Sequence, residues 1–78
     1  MKTAKEMFEE LELYPYQYTD TVWEDILEYS NKSKTTYIKF YLINRLFEVK
    51  TEHGFSHIIN IPLLEAINKQ VEELEWKR

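Results

Sequence analysis

The sequence contains no cysteine and a single glycine, Gly54. Without cysteine there is no disulfide, no thiolate-held zinc and no thiol nucleophile. One glycine cannot build the phosphate-cradling loops of P-loop or dinucleotide-binding proteins, which need several. No apolar run approaches the roughly 18 residues of a membrane span. The opening Met1-Lys2-Thr3-Ala4-Lys5-Glu6 has no apolar stretch of the secretory kind, so a cytosolic, reduced and unprocessed protein is expected. Basic residues are in the minority. Ten Lys and Arg stand against fourteen Asp and Glu, a net charge of −4, which disfavours a generic binder of phosphate backbones.

Aromatic side chains are abundant: six Tyr, four Phe and two Trp in 78 residues. Hydrophobic residues at 44% and charged residues at 31% suit a soluble globular chain rather than a disordered one. The length reads as one domain, residues 1–78. A chain this short buries only about 60% of its unfolded surface. Such a core rarely supplies more than about 3–5 kcal/mol. Close aromatic packing or self-association is the remaining support.

Thr3-Ala4-Lys5-Glu6 has the form of a capping box. Ala4, Met7, Phe8 and Leu11 follow at helical spacing, which predicts a helix over about 4–13, ended by Pro15. Tyr14-Pro15-Tyr16-Gln17-Tyr18 is extended in character, and its alternating tyrosines share one side if it is a strand. Residues 19–30 are ambiguous. Val22, Trp23, Ile26 and Leu27 fit a helix, with Thr21 to Glu24 as a second capping box. The need for an antiparallel neighbour favours instead a strand over about 24–29, running into a turn at Ser30-Asn31-Lys32-Ser33.

The clearest strand is Thr35 to Ile43, with Ile38, Phe40 and Leu42 on one face and Tyr37, Lys39 and Tyr41 on the other. Asn44-Arg45 reads as a two-residue turn into Leu46–Lys50, whose Phe47 and Val49 join the same core. Gly54 breaks the chain, and His57-Ile58-Ile59-Asn60 reads as a short fourth strand. Pro62 suits the first turn of a last helix over about 62–75. Leu64, Ile67, Val71 and Leu74 form its apolar stripe and Trp76 closes it. The expected fold is α+β: helix, three- or four-stranded antiparallel meander, helix, with both helices on one sheet face.

Candidate chemistry is sparse. His53 and His57 are four apart, but Gly54 lies between them and no Glu or Cys completes a zinc set, so surface histidines are expected. The carboxylates show no acid–base arrangement, and Ser30, Ser33 and Ser56 lack a nucleophile elbow. No catalytic group, cofactor or metal is expected, and the chain is read as a non-enzyme. Charge is more informative. Residues 1–28 carry −6, residues 29–60 carry +3 and residues 61–78 carry −1. The acidic end reads as a solvated helix face or as a surface that docks on a basic groove of a partner protein.

Thr3-Ala4-Lys5-Glu6-Met7-Phe8-Glu9-Glu10-Leu11 resembles the opening of a group of short proteins from phages and prophages of low-GC Gram-positive bacteria. Leu63-Leu64-Glu65-Ala66-Ile67-Asn68-Lys69-Gln70-Val71-Glu72-Glu73-Leu74-Glu75-Trp76 resembles their ending, with a looser likeness at Gly54-Phe55-Ser56. In that group Gly follows both Glu-Glu-Leu steps; Glu12 and Glu75 stand there in this chain. The helix ends must therefore form without glycine, or the helices must run a turn further. The group has no motif assigned as a site, so no functional residue is carried over. The resemblance implies a phage accessory protein in the cytoplasm of its bacterial host.

Such proteins commonly bind a host protein, and anti-CRISPR inhibitors of bacterial defence are one class of them. The leading expectation is thus a non-enzymatic modulator of a host protein, docking through Glu6, Glu9, Glu10, Asp20, Glu24 and Asp25. The alternatives are a structural homodimer, joined at the sheet face or around Trp23, and a single-stranded nucleic-acid binder through Tyr37, Lys39 and Tyr41.

Overall fold

The computed structural model describes residues 2–19, 23–50 and 59–76. Its elements follow as α1 (Ala4–Glu10), β1 (Tyr14–Thr19), β2 (Asp25–Ser30), β3 (Tyr37–Tyr41), β4 (Leu46–Lys50) and α2 (Ile61–Glu73). The strands form one four-stranded antiparallel sheet in the order β1-β2-β3-β4, a plain meander. The fold is α+β. Among the described residues no helix is long and apolar enough to cross a membrane.

Each helix starts on a side-chain cap. The Thr3 hydroxyl accepts from the Glu6 N–H while the Thr3 N–H donates to the Glu6 carboxylate (2.9 Å), the reciprocal pair expected from the sequence. Asn60 caps α2 by accepting from the Leu63 N–H (2.9 Å), with Pro62 in the first turn. Each helix ends in a Schellman motif. The Leu13 N–H donates to the Phe8 carbonyl and the Glu12 N–H to that of Glu9, both at 3.0 Å. The Trp76 and Glu75 N–H groups make the same pair of bonds to Val71 (3.1 Å) and Glu72 (3.0 Å). Glu12 and Glu75 thus occupy the left-handed position, at φ 62° and 58°.

Both helices lie on one face of the sheet. One buried cluster unites Ala4 and Phe8 of α1 with Tyr29, Ile38 and Phe40 of the sheet and Leu63, Ala66 and Ile67 of α2. The Phe8 ring stacks on Tyr29 (centroids 3.9 Å), and Phe40 meets Tyr29 and Trp76 edge-on (6.3 and 6.1 Å). The Tyr29 hydroxyl donates to Gln70 of α2 (2.7 Å). The Ala4 N–H, one of the unpaired donors at the start of α1, donates to the Glu73 carboxylate at the end of α2 (2.8 Å).

Several boundaries differ from the sequence reading. Helix α1 stops at Glu10 rather than running to 13, because the Schellman turn ends it before Pro15 can. The four described strands include Tyr14–Thr19; of the strand expected at 57–60, Ile59 and Asn60 lie outside any strand, and His57 and Ile58 are not among the described residues. Segment 25–30 is a strand, as the pairing argument requires, and not a helix. Strand β3 is shorter than 35–43. The Asn31 side chain accepts from the Thr35 and Thr36 N–H groups (2.9 and 3.2 Å) and draws them into the β2–β3 turn. The β3–β4 connection is a four-residue loop, 42–45, with Arg45 at φ 58° and Tyr41 paired with Leu46. In α2 the buried stripe is Leu63, Ala66, Ile67 and Gln70, while Leu64 is 42% exposed.

Candidate functional site

Because side chains alternate along a strand, the register fixes which residues share the face away from the helices. Three cross-strand rows result. Tyr14, Ser30, Tyr37 and Lys50 form one, Tyr16, Glu28, Lys39 and Glu48 the next, and Tyr18, Ile26, Tyr41 and Leu46 the third. Five of the six tyrosines stand on this open face; only Tyr29 turns into the core. Strand β2 lies low among them: Ile26, Glu28 and Ser30 are all buried on the face away from α1 and α2. The tyrosines of β1 and β3 flank β2 and shield it.

Polar contacts order this surface. Glu28 is only 7% exposed; its carboxylate accepts from the Tyr18 hydroxyl (3.1 Å) and pairs with the Lys34 ammonium (3.7 Å). The Tyr41 hydroxyl donates to Glu48 (2.9 Å). Lys34 lies over the Tyr16 ring at 5.5 Å, and Lys39 and Lys50 lie 4.7 and 5.9 Å from the centre of Tyr37. These are cation–π distances. The two carboxylates of the face are thus engaged by hydroxyls and a lysine, and the lysines stand against aromatic rings. At the β1 end a shallow hollow is lined by Tyr14, Tyr16, Lys32 and Lys34.

A second depression runs between the helices, about 460 Å³, with Met7, Leu11 and Pro62 as its apolar part and Lys2, Glu10, Glu65 and Lys69 around them. Among the described residues no group of three His, Cys, Asp or Glu is placed to hold a metal. His53 and His57 lie outside the described residues.

The residues singled out in the sequence separate into two sets. Tyr37, Lys39 and Tyr41 lie side by side on the open face, as the alternation requires. The structure adds Tyr14, Tyr16, Tyr18, Lys34 and Lys50 to them. The only prior signal for β1 was the alternation of its tyrosines.

Among the described residues the acidic set is divided between α1 and the start of β2. Glu6 is exposed but serves the Thr3 cap, whose backbone N–H and hydroxyl hold its carboxyl below the usual carboxylate range. Glu10 pairs with Lys2, and Glu9 is half-buried. Glu24 is 7% exposed: it accepts from the Ile43 and Asn44 N–H groups (3.0 and 3.3 Å) and from the Asn44 side chain (2.7 Å), fastening the β3–β4 loop. Asp25 is exposed and accepts from the Thr19 hydroxyl (2.9 Å). It stands four residues along β2 from the Tyr29 that α1 covers, about 13 Å away. Asp20 is not among the described residues. Trp23 is 83% exposed, at φ 63°.

Comparison with protein-family models, with curated proteins and with solved structures finds no match.

Proposed function

We propose that this protein is a non-enzymatic binding protein, phage-encoded as its two ends suggest, that acts by covering a macromolecule of the bacterial host with the open face of its sheet. One observation carries the reading. Five tyrosines interleaved with lysines occupy a sheet face that both helices leave open. Shielding β2 accounts for part of this aromatic area, yet Tyr16 and Tyr14 remain 58% and 41% exposed. Tyrosine offers a large, stiff contact surface with a polar tip, which suits intermittent burial against a partner.

In this reading the acidic docking surface gives way to the sheet, since Glu24 is spent on the hairpin and Asp25 stands apart from α1. Interference with a host defence factor, in the manner of an anti-CRISPR, is the role the resemblance lends it. Affinity capture from host lysate tests the reading with two double variants, Tyr16→Ser with Lys39→Gln on the face, and Glu9→Lys with Glu10→Lys on α1. The face variant is expected to lose what the native protein retains, and the helix variant to keep it. The reverse pattern moves the working surface to the helices.

A further inference from the structure

We infer that the open sheet face is a binding site for single-stranded nucleic acid. The inference rests on that face being the working surface, and names its ligand. Its first support is shape. Tyr14, Tyr16 and Tyr18 on β1 and Tyr37 and Tyr41 on β3 stand on either side of the sunken β2 residues Ile26, Glu28 and Ser30. Neighbouring strands lie about 4.8 Å apart, so the two tyrosine rows are about 10 Å from one another, across a shallow trough. Tyr16 is 58% exposed and Tyr14 41%. Unpaired bases stack on such rings, whereas bases held inside a duplex cannot reach them.

The second support is charge, which is divided between the two layers of the molecule. Among the described residues, stretches 2–13 and 59–76 carry Glu6, Glu9, Glu10, Glu12, Glu65, Glu72, Glu73 and Glu75 against Lys2, Lys5 and Lys69. The sheet face carries Lys34, Lys39 and Lys50 against two carboxylates, both bonded to tyrosine hydroxyls. Lys32 and Arg45 lie in the turns at either end, with Glu24 and Asp25 near Arg45, so the described sheet layer totals five basic against four acidic side chains, or +1. A polyanion is therefore repelled by the helix layer and drawn to the sheet. An acidic peptide would satisfy the lysines alone. A single strand satisfies both sets, its phosphates taking the ammonium groups as its bases take the rings.

The test is fluorescence anisotropy of a labelled oligothymidylate of about 15 nucleotides, the upper range for a surface of this kind. Oligouridylate, a duplex of equal length and a polyglutamate peptide run beside it. Native protein is expected to bind both single strands more tightly than the duplex or the peptide, and the ratio of the two single strands separates DNA from RNA as the preferred source. Three phosphate contacts imply a loss of about 100-fold between 20 and 200 mM salt. Lys39→Gln should lower the logarithmic salt slope by about 0.7. Tyr16→Leu should weaken binding about tenfold, and Tyr16→Phe, which keeps the ring, should not. Circular dichroism confirms that each variant is folded.

Absence of oligonucleotide binding at low salt overturns the inference, and so does binding of the duplex or the peptide as tight as that of the single strand. If lysate capture through the face persists in that event, the working surface stands and its partner is a protein. If capture also ignores the face, both readings fall.

Discussion

Glu12 and Glu75 hold positive φ at the two helix ends. A side chain with a Cβ pays roughly 1–2 kcal/mol for that conformation, which glycine avoids at the cost of a more flexible unfolded chain. Replacing Glu12 by Gly should therefore stabilise the protein by about 0.5–1 kcal/mol, raising Tm by several degrees in a thermal melt. An unchanged or lower Tm would show that the Glu12 side chain offsets its own strain. Tyr29 makes a second residue-level case. Burial first, then the charges of Glu73 and Glu9, push its phenol up from 10.0 to about 12. The neutral phenol is favoured in the fold, so its contribution is whole below pH 10 and is lost as pH rises towards 12, because the unfolded chain ionises first. An ultraviolet titration should show the Tyr29 phenolate forming near pH 12 together with unfolding, and Tyr29→Phe should remove that contribution. Its persistence in the variant would place the late phenol elsewhere.

Among elements, those with a single dominant signal were legible and those governed by side-chain bonds were not. The α1 capping box, Pro62 in the first turn of α2 and the alternation around Ile38 and Phe40 each state their role locally. The extent of β3 was hidden because Thr35 and Thr36 have strand propensity, yet Asn31 binds their N–H groups into a turn. The α2 stripe was misaligned because it includes Gln70, a polar residue whose place in the core depends on Tyr29, distant in sequence. Strand β1 carried Pro15, which is tolerated at an edge, and its pairing with β2 could only come from topology. Half of the open face, Tyr37, Lys39 and Tyr41, was legible for that reason, and the β1 half was legible only as a conditional. Glu24 read as a surface charge because nothing local reveals the hairpin it fastens. Glu24→Ala should cost about 1.5–3 kcal/mol in urea denaturation, the range for hydrogen bonds to a charged group. A negligible loss would mean water replaces the carboxylate freely.

The molecule as a whole resolves the net charge of −4 into two layers of different character. The acidic layer is the helices, and the aromatic, lysine-bearing layer is the open sheet. On the proposed reading, a small negative protein thereby offers an anion-accepting face, while its negative total discourages generic attachment to duplex backbones. The tyrosines also bear on stability: the Tyr18 hydroxyl satisfies the Glu28 carboxylate, and Ile26 beside it is buried. The account turns on that face, and amide chemical-shift mapping with an unlabelled single-stranded oligonucleotide tests it most directly. Shifts confined to the amides of β1, β2 and β3, with Tyr16, Tyr37 and Lys39 foremost and α1 and α2 unmoved, are the expected result. Shifts confined to the helices, or none at low salt, would contradict it.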